Sequence, residues 1–258
     1  MEDLHITLIQ SDLHWEDPEA NLKMFAEKIS KVGKTNLIIL PEMFTTGFSM
    51  NPSKLAESME GVSVSWMRAH AKAANAVICG SLMCSADGSF FNRLVWMRPD
   101  GSYEYYDKRH CFSMGQEDKY YSAGSKRLIV ELKGWRVCPL ICYDLRFPVW
   151  SRRTASQDYD LLLYVANWPE RRAFAWKSLL VARAIENQSY VAAVNRIGDD
   201  IHGVYHSGDS AVYSPKGELM MDLKGNDVQT CVLSFTELIE FRAQFPAIND
   251  ADEFRLQL

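Results

Sequence analysis

The chain has 258 residues, 47% hydrophobic and 24% charged, with a formal net charge of −5. This is the ordinary balance of a globular protein, and a chain of this length builds a core without disulfide or metal staples. The acidic balance argues against partnership with nucleic acid or an anionic membrane, which want clustered positive charge, and no apolar run approaches the length of a membrane span.

Residues 4–10 alternate apolar and polar side chains and predict a strand. After a loop through Asp17 and Pro18, the spacing of Leu22, Phe25, Ala26 and Ile29 predicts an amphipathic helix to about Val32. The short apolar run in 36–40 predicts a strand buried on both faces, ending at Pro41-Glu42. Residues 63–75 predict a second helix with Trp66, Ala69 and Ala73 towards the core, and 76–82 the next strand. Residues 92–98 and 103–106 flank Pro99-Asp100-Gly101-Ser102, a strong turn signal, and predict a hairpin. From Arg109 to Ser125 there is no clear period, and a long irregular stretch in a compact domain is more often a functional loop than an accident.

Residues 128–132 and 136–141 predict a strand pair turned at Lys133-Gly134, followed beyond Cys142 by a helix over about 148–156. A strand over 161–165 ends at Ala166-Asn167-Trp168-Pro169. The longest helical pattern covers 171–187, with Phe174, Leu179, Ala182 and Ile185 among its apolar positions. Then come a strand over 190–195, a hairpin of 208–213 and 218–223 about Ser214-Pro215-Lys216-Gly217, a strand over 229–234 and a helix over 236–244. Strands linked both by βαβ units and by hairpins predict an α/β fold with mixed sheets and helices packed outside. Strands apolar on both faces fit two stacked sheets between helix layers. With no linker, repeat or low-complexity tract, residues 1–258 read as one domain.

Three predicted strands and one hairpin arm end on residues with chemistry: Glu42 after 36–40, Lys108 after 103–106, Cys142 after 136–141 and Asn167-Trp168 after 161–165. Ligand sites in open α/β sheets lie beyond the carboxyl ends of strands, so a shared edge would bring Glu42, Lys108 and Cys142 together. Taken singly, Glu42 reads as a turn cap, Lys108 as a solvated cation and Cys142 as a small buried hydrophobe like Cys138. Taken jointly they suit acyl transfer. The carboxylate takes the thiol proton and returns it to a leaving amine; the ammonium and the Tyr143 backbone N–H steady the oxyanion. A helix N-terminus after Cys142 would favour its thiolate. This chemistry requires no metal or cofactor, and the spacings of Cys79, Cys84, Cys138 and Cys142 do not make a zinc site. Six cysteines in so long a chain fit a reducing cytoplasm, and Met1 to His5 lack the pattern of a secretory signal.

Pro41-Glu42, Lys108-Arg109-His110 and the segment from Cys142 to Pro148 resemble the three signatures of the nitrilase (carbon–nitrogen hydrolase) superfamily, a likeness that extends over nearly the whole chain. It implies a four-layer αββα sandwich, commonly paired into a homodimer through the helix layers. The family's catalytic Glu, Lys and Cys fall on Glu42, Lys108 and Cys142, and its second glutamate on Glu117, ahead of Tyr120, Tyr121 and Gly124. The segments 42–48, 142–148 and 167–172 are similar to those of ω-amidases. The resemblance therefore implies hydrolysis of the terminal amide of 2-oxoglutaramate or 2-oxosuccinamate to a 2-oxo acid and ammonia. The mammalian branch departs at 168–172, so recognition of the far end of the substrate does not transfer from it. The acidic end of such a substrate wants a cation, for which Arg146, Arg171 and Arg172 are the candidates, and Phe48 and Trp168 follow strand ends near the same place. Arg146 has a competing role bracing the turn through Asp144. The alternatives are another carbon–nitrogen hydrolase (nitrilase, aliphatic amidase or carbamoyl hydrolase) or a non-catalytic thiol protein serving redox sensing or scaffolding.

Overall fold

The computed structural model describes residues 1–252, 254 and 256. The first half runs β1 (Leu4–Ile9), α1 (Pro18–Ile29), β2 (Leu37–Ile39), α2 (Pro52–Leu55), α3 (Val62–Ala74), β3 (Val77–Ala86), β4 (Ser89–Met97), β5 (Tyr103–Asp107) and α4 (Glu117–Tyr120). The second runs β6 (Val130–Leu132), β7 (Trp135–Ile141), α5 (Pro148–Ser151), β8 (Leu161–Ala166), α6 (Ala173–Asn187), β9 (Tyr190–Asn195), β10 (Ile197–Asp199) and β11 (Tyr205–Ser207). It closes with β12 (Ala211–Tyr213), β13 (Leu219–Asp222), β14 (Val228–Leu233) and α7 (Phe235–Gln244).

Twelve of these strands form two six-stranded sheets, in the orders β14-β1-β2-β3-β4-β5 and β6-β7-β8-β9-β12-β13. From those starting edges both sheets repeat one pattern of pairing: antiparallel, parallel, parallel, antiparallel, antiparallel. The αββα sandwich follows from where the apolar side chains go. Leu37 and Ile39 of β2, with Ile6 and Leu8 of β1 beside them, share one core with Val137, Leu161 and Leu163 of the second sheet. Ile38, pointing the other way, packs with Phe25 of α1 and Met67 of α3. On the far side of the second sheet α6 buries Trp176, Leu180 and Ala184.

Three local expectations are corrected. The buried stripe of α3 is Val64, Met67 and Ala71, with Trp66 only partly buried and Ala69 and Ala73 exposed. A bulkier stripe excludes more water than an alanine stripe, so it wins the sheet face. Phe174 and Ile185 of α6 face outward, being 86% and 53% exposed. The helix expected over 148–156 ends at Ser151, where the next turn gives way to a hydrogen bond from Arg153 N–H to Asn187 Oδ1 at 2.9 Å. The β10–β11 hairpin has no counterpart in the sequence reading; three-residue strands carry too few alternations to register.

Candidate active site

The carboxyl ends of β2, β5, β7 and β8 converge at one edge of the sandwich. Glu42 lies just beyond β2, fully buried, in a turn closed by N–H groups of Thr46 and Gly47 donating to Met43 O. Met43 has φ +44°, and its N–H is tied to Ser81 Oγ on β3 at 2.8 Å. Lys108 leaves β5 with its N–H on Asn92 O and its carbonyl accepting from Gly124 N–H, both at 2.9 Å. At Gly124 any Cβ would lie 2.1 Å from Asp107 O, so this close approach requires glycine. Glu117 opens α4 and accepts the Phe112 N–H at 2.6 Å.

Cys142 sits where β7 turns into a 3₁₀ helix, Cys142–Arg146, with φ +43°, an uncommon conformation for a side-chain-bearing residue. Buried Asp144 fastens this elbow. Its Oδ2 accepts from Ile141 N–H at 3.0 Å and Tyr106 OH at 2.7 Å, and its Oδ1 from His110 N–H at 3.1 Å and the His110 ring at 2.8 Å. The elbow is thereby locked to the segment that follows Lys108. The Tyr143 N–H is in the first turn of the helix, where backbone donors lack helical partners.

Beneath Cys142 lies a buried polar network. Lys108 Nζ donates to Glu42 Oε1 at 2.8 Å and to Glu117 Oε2 and Oε1 at 2.8 and 3.0 Å. Burial disfavours the Lys108 ammonium, but Glu117 and Glu42 outweigh it and hold its pKa well above the usual lysine value. Glu117 is shifted upward by burial, against the pull of Lys108. The other oxygen of Glu42 accepts Asn167 N–H at 2.8 Å, and Asn167 Nδ2 donates back to Glu42 O at 2.6 Å. This reciprocal pair joins the ends of β2 and β8 across the two sheets. Burial first, and Glu42 second, push the Cys142 thiol well above its ordinary pKa. The expected thiolate is therefore corrected to a thiol: a short, buried 3₁₀ turn cannot offset desolvation beside a carboxylate.

Above Cys142 opens a cavity of about 540 Å³ whose lining includes Lys108, Cys142, Tyr143, Asn167 and Trp168. Phe48 lies 5.2 Å from Lys108 Nζ by its ring centre. Arg146, Arg171 and Arg172 all line the same cavity. Among the described residues none of the three makes an ion pair or side-chain hydrogen bond; Arg146 stands over the Trp168 ring at 5.0 Å and Arg172 over Phe112 at 5.1 Å. The bracing role for Arg146 is not found, because Asp144 is occupied by Tyr106, His110 and Ile141.

Every residue the sequence singled out thus lies at this edge, Glu42 and Glu117 beneath the cavity and the others on its wall. Sequence reasoning did not single out Asn92 or Tyr106 and named Asp144 only as a partner for Arg146; all three act through the residues around them. It also missed Trp15 and the β10–β11 hairpin, which with its turn supplies Asp200, His202, Val204 and His206 to the rim.

The family profile for carbon-nitrogen hydrolase matches residues 5–238. The chain belongs to the carbon–nitrogen hydrolase family. This carbon–nitrogen hydrolase is 47% identical over 258 residues to omega-amidase YafV of Escherichia coli (strain K12), covering 99% of this chain and 100% of that protein. It is 32% identical over 252 residues to the 2-oxoglutaramate amidase of Bacillus subtilis (strain 168), covering 95% and 96%. A CN-hydrolase superfamily protein of Xanthomonas campestris, solved with an arsenic adduct in its active site, matches with a TM-score of 0.97 and 46% identity over the whole of both chains. In this carbon–nitrogen hydrolase the geometry offers a thiol, a carboxylate within its electrostatic reach, an ammonium held charged and a backbone donor in the first turn of a helix, which together suit acyl transfer.

Proposed function

We propose that this carbon–nitrogen hydrolase is an ω-amidase, hydrolysing the terminal amide of small 2-oxo dicarboxylic acid monoamides such as 2-oxoglutaramate and 2-oxosuccinamate. The observation that carries the reading is the Glu42–Lys108–Glu117 network lying under Cys142, at a cavity walled by three arginines that have no carboxylate partner among the described residues. The similarity to omega-amidase YafV and to 2-oxoglutaramate amidase supports the same substrate class.

In the proposed reaction Glu42 receives the Cys142 proton as Sγ bonds to the amide carbon. The oxyanion is held by Lys108 Nζ and the Tyr143 N–H. Glu42 then gives the proton to the amide nitrogen, the C–N bond breaks and ammonia departs, leaving a thioester. Water, deprotonated by Glu42, attacks the thioester carbon; the acid leaves and the proton returns to Sγ. Glu117 keeps Lys108 charged throughout. The substrate carboxylate binds at Arg171 or Arg172, with Phe48 and Trp168 bounding the carbon chain. The enzyme is read as one domain over residues 1–258, acting in the cytoplasm as a homodimer.

Ammonia release from a panel of ω-amides, neutral amides, nitriles and carbamoyl compounds tests this. The 2-oxo acid monoamides are expected to be turned over fastest, and Cys142→Ala to abolish turnover while keeping the fold. Preference for a nitrile or carbamoyl compound, or unaltered turnover in Cys142→Ala, overturns it.

A further inference from the structure

Asn92 projects from β4 into the centre of the charged network and is 1% exposed. Its Nδ2 donates to Glu42 Oε1 at 2.8 Å and to Glu117 Oε1 at 3.0 Å. The same two oxygens accept from Lys108 Nζ at 2.8 and 3.0 Å. The four atoms make a ring in which carboxylate oxygens alternate with nitrogen donors. The arrangement fixes the orientation of the amide, since an oxygen turned this way would face two anions. Its cost is visible at the other end: Asn92 Oδ1 is buried without a partner among the described residues. An orphaned buried acceptor is costly, so a residue kept only for packing would be replaced at little loss by an apolar one. What this position supplies is the pair of N–H groups.

Two carboxylates in so small a buried space carry one charge more than Lys108 neutralises. Like-charged carboxylates sharing a site drive each other to protonate unless donors stabilise the ionised forms. We propose that Asn92 is a positioning residue that keeps Glu42 and Glu117 ionised together, giving one N–H to each, so that Glu42 is free to accept the Cys142 proton while Glu117 holds Lys108. This rests on the reading of Cys142 and Glu42 as nucleophile and base. The other titratable groups facing the network are the Cys142 thiol, Cys111 and Tyr121 beyond Glu117, and Arg172 on the cavity side of Cys142.

The test follows the acidic limb of two rates against pH: kcat/KM for the best amide substrate, and alkylation of Cys142 by iodoacetamide, read by mass spectrometry of its peptide. Both limbs report the transfer of the Cys142 proton to its base. In Asn92→Leu the carboxylates lose two donors, so both limbs are expected to move upward by about one pH unit, a roughly tenfold loss of rate on the limb. Asn92→Asp keeps the side-chain shape and is expected to move them the same way. Adding Glu117→Gln to either variant removes the repelling charge and should bring the alkylation limb back towards the wild type. A rate loss without movement of the limb, or a movement that Glu117→Gln leaves unchanged, overturns the proposal and makes Asn92 a packing residue. The alkylation arm needs no substrate. Failure to find an amide that is turned over would count against the functional reading while leaving this test intact.

Discussion

The three arginines of the cavity wall divide the specificity question at the level of single residues. A guanidinium binds a carboxylate through two parallel N–H groups, and desolvation strengthens that pairing. Arg172 is half-buried on the cavity side of Cys142, and its charge is disfavoured by burial first and then by Arg171 and Arg146, so an arriving anion relieves a standing repulsion. Replacing Arg171 or Arg172 with alanine is expected to raise KM for an acidic ω-amide by ~10-fold or more, about 1.4 kcal/mol, while turnover of a neutral amide of equal length hardly changes. If both single variants and the double variant treat the two substrates alike, the carboxylate is bound elsewhere and Arg146 is the next to replace.

The elbow after β7 is the element on which the site depends. A cysteine with φ +43° persists only where its surroundings hold it, and here Asp144 does so by accepting four hydrogen bonds from three residues. Two of those donors come from His110, which stacks on Phe147 with ring centres 3.8 Å apart, so one carboxylate binds the Cys142 turn to the Lys108 segment. Asp144→Ala leaves the Tyr106 hydroxyl and the Ile141 N–H short of an acceptor. The expected loss is about 3 kcal/mol of stability, seen as a fall of roughly 6–12 °C in Tm, with kcat falling as well. An unchanged Tm would show that the elbow holds itself without Asp144.

At the scale of the whole molecule, the β10–β11 hairpin closes the rim between the two sheets, and its buried His206 links its stability to pH. Burial first, and then Arg196, lower the His206 pKa from 6.5 to about 4. The unfolded chain takes up this proton near 6.5 and the folded protein only near 4, so acid favours unfolding between those values. The stabilisation is complete above pH 6.5 and is lost as the pH falls towards 4, by about 3 kcal/mol. Denaturant titrations should show the difference in stability between the wild type and His206→Gln shifting by about that amount across the window, in the direction of a weaker wild type at low pH. A difference that stays constant from pH 7 to pH 4 would place His206 in contact with solvent.

Element order, the two hairpins beside Pro99 and Ser214, and the positions of Glu42, Lys108 and Cys142 just past strand ends are all legible in the sequence, because periodicity and turn chemistry are local. The motif resemblance added Glu117, in a stretch where no period exists to guide a reading. Which face of α3 and α6 is buried depended on the sheet beneath each helix, so Ala69 and Phe174 were not placed by spacing alone. The protonation of Cys142 was likewise decided by tertiary structure, since a thiol responds to burial and to Glu42, distant in sequence, more than to its own short turn. Asn92 carries no local signal at all: an asparagine in a strand becomes a donor to two carboxylates only when the side chains of Glu42 and Glu117 are brought within 3.0 Å of its nitrogen. Local pattern determines what each segment becomes; only the packing of one sheet on the other, which joins Glu42 to Asn167 across 125 residues, determines which strand ends share a site and which of their charges survive burial.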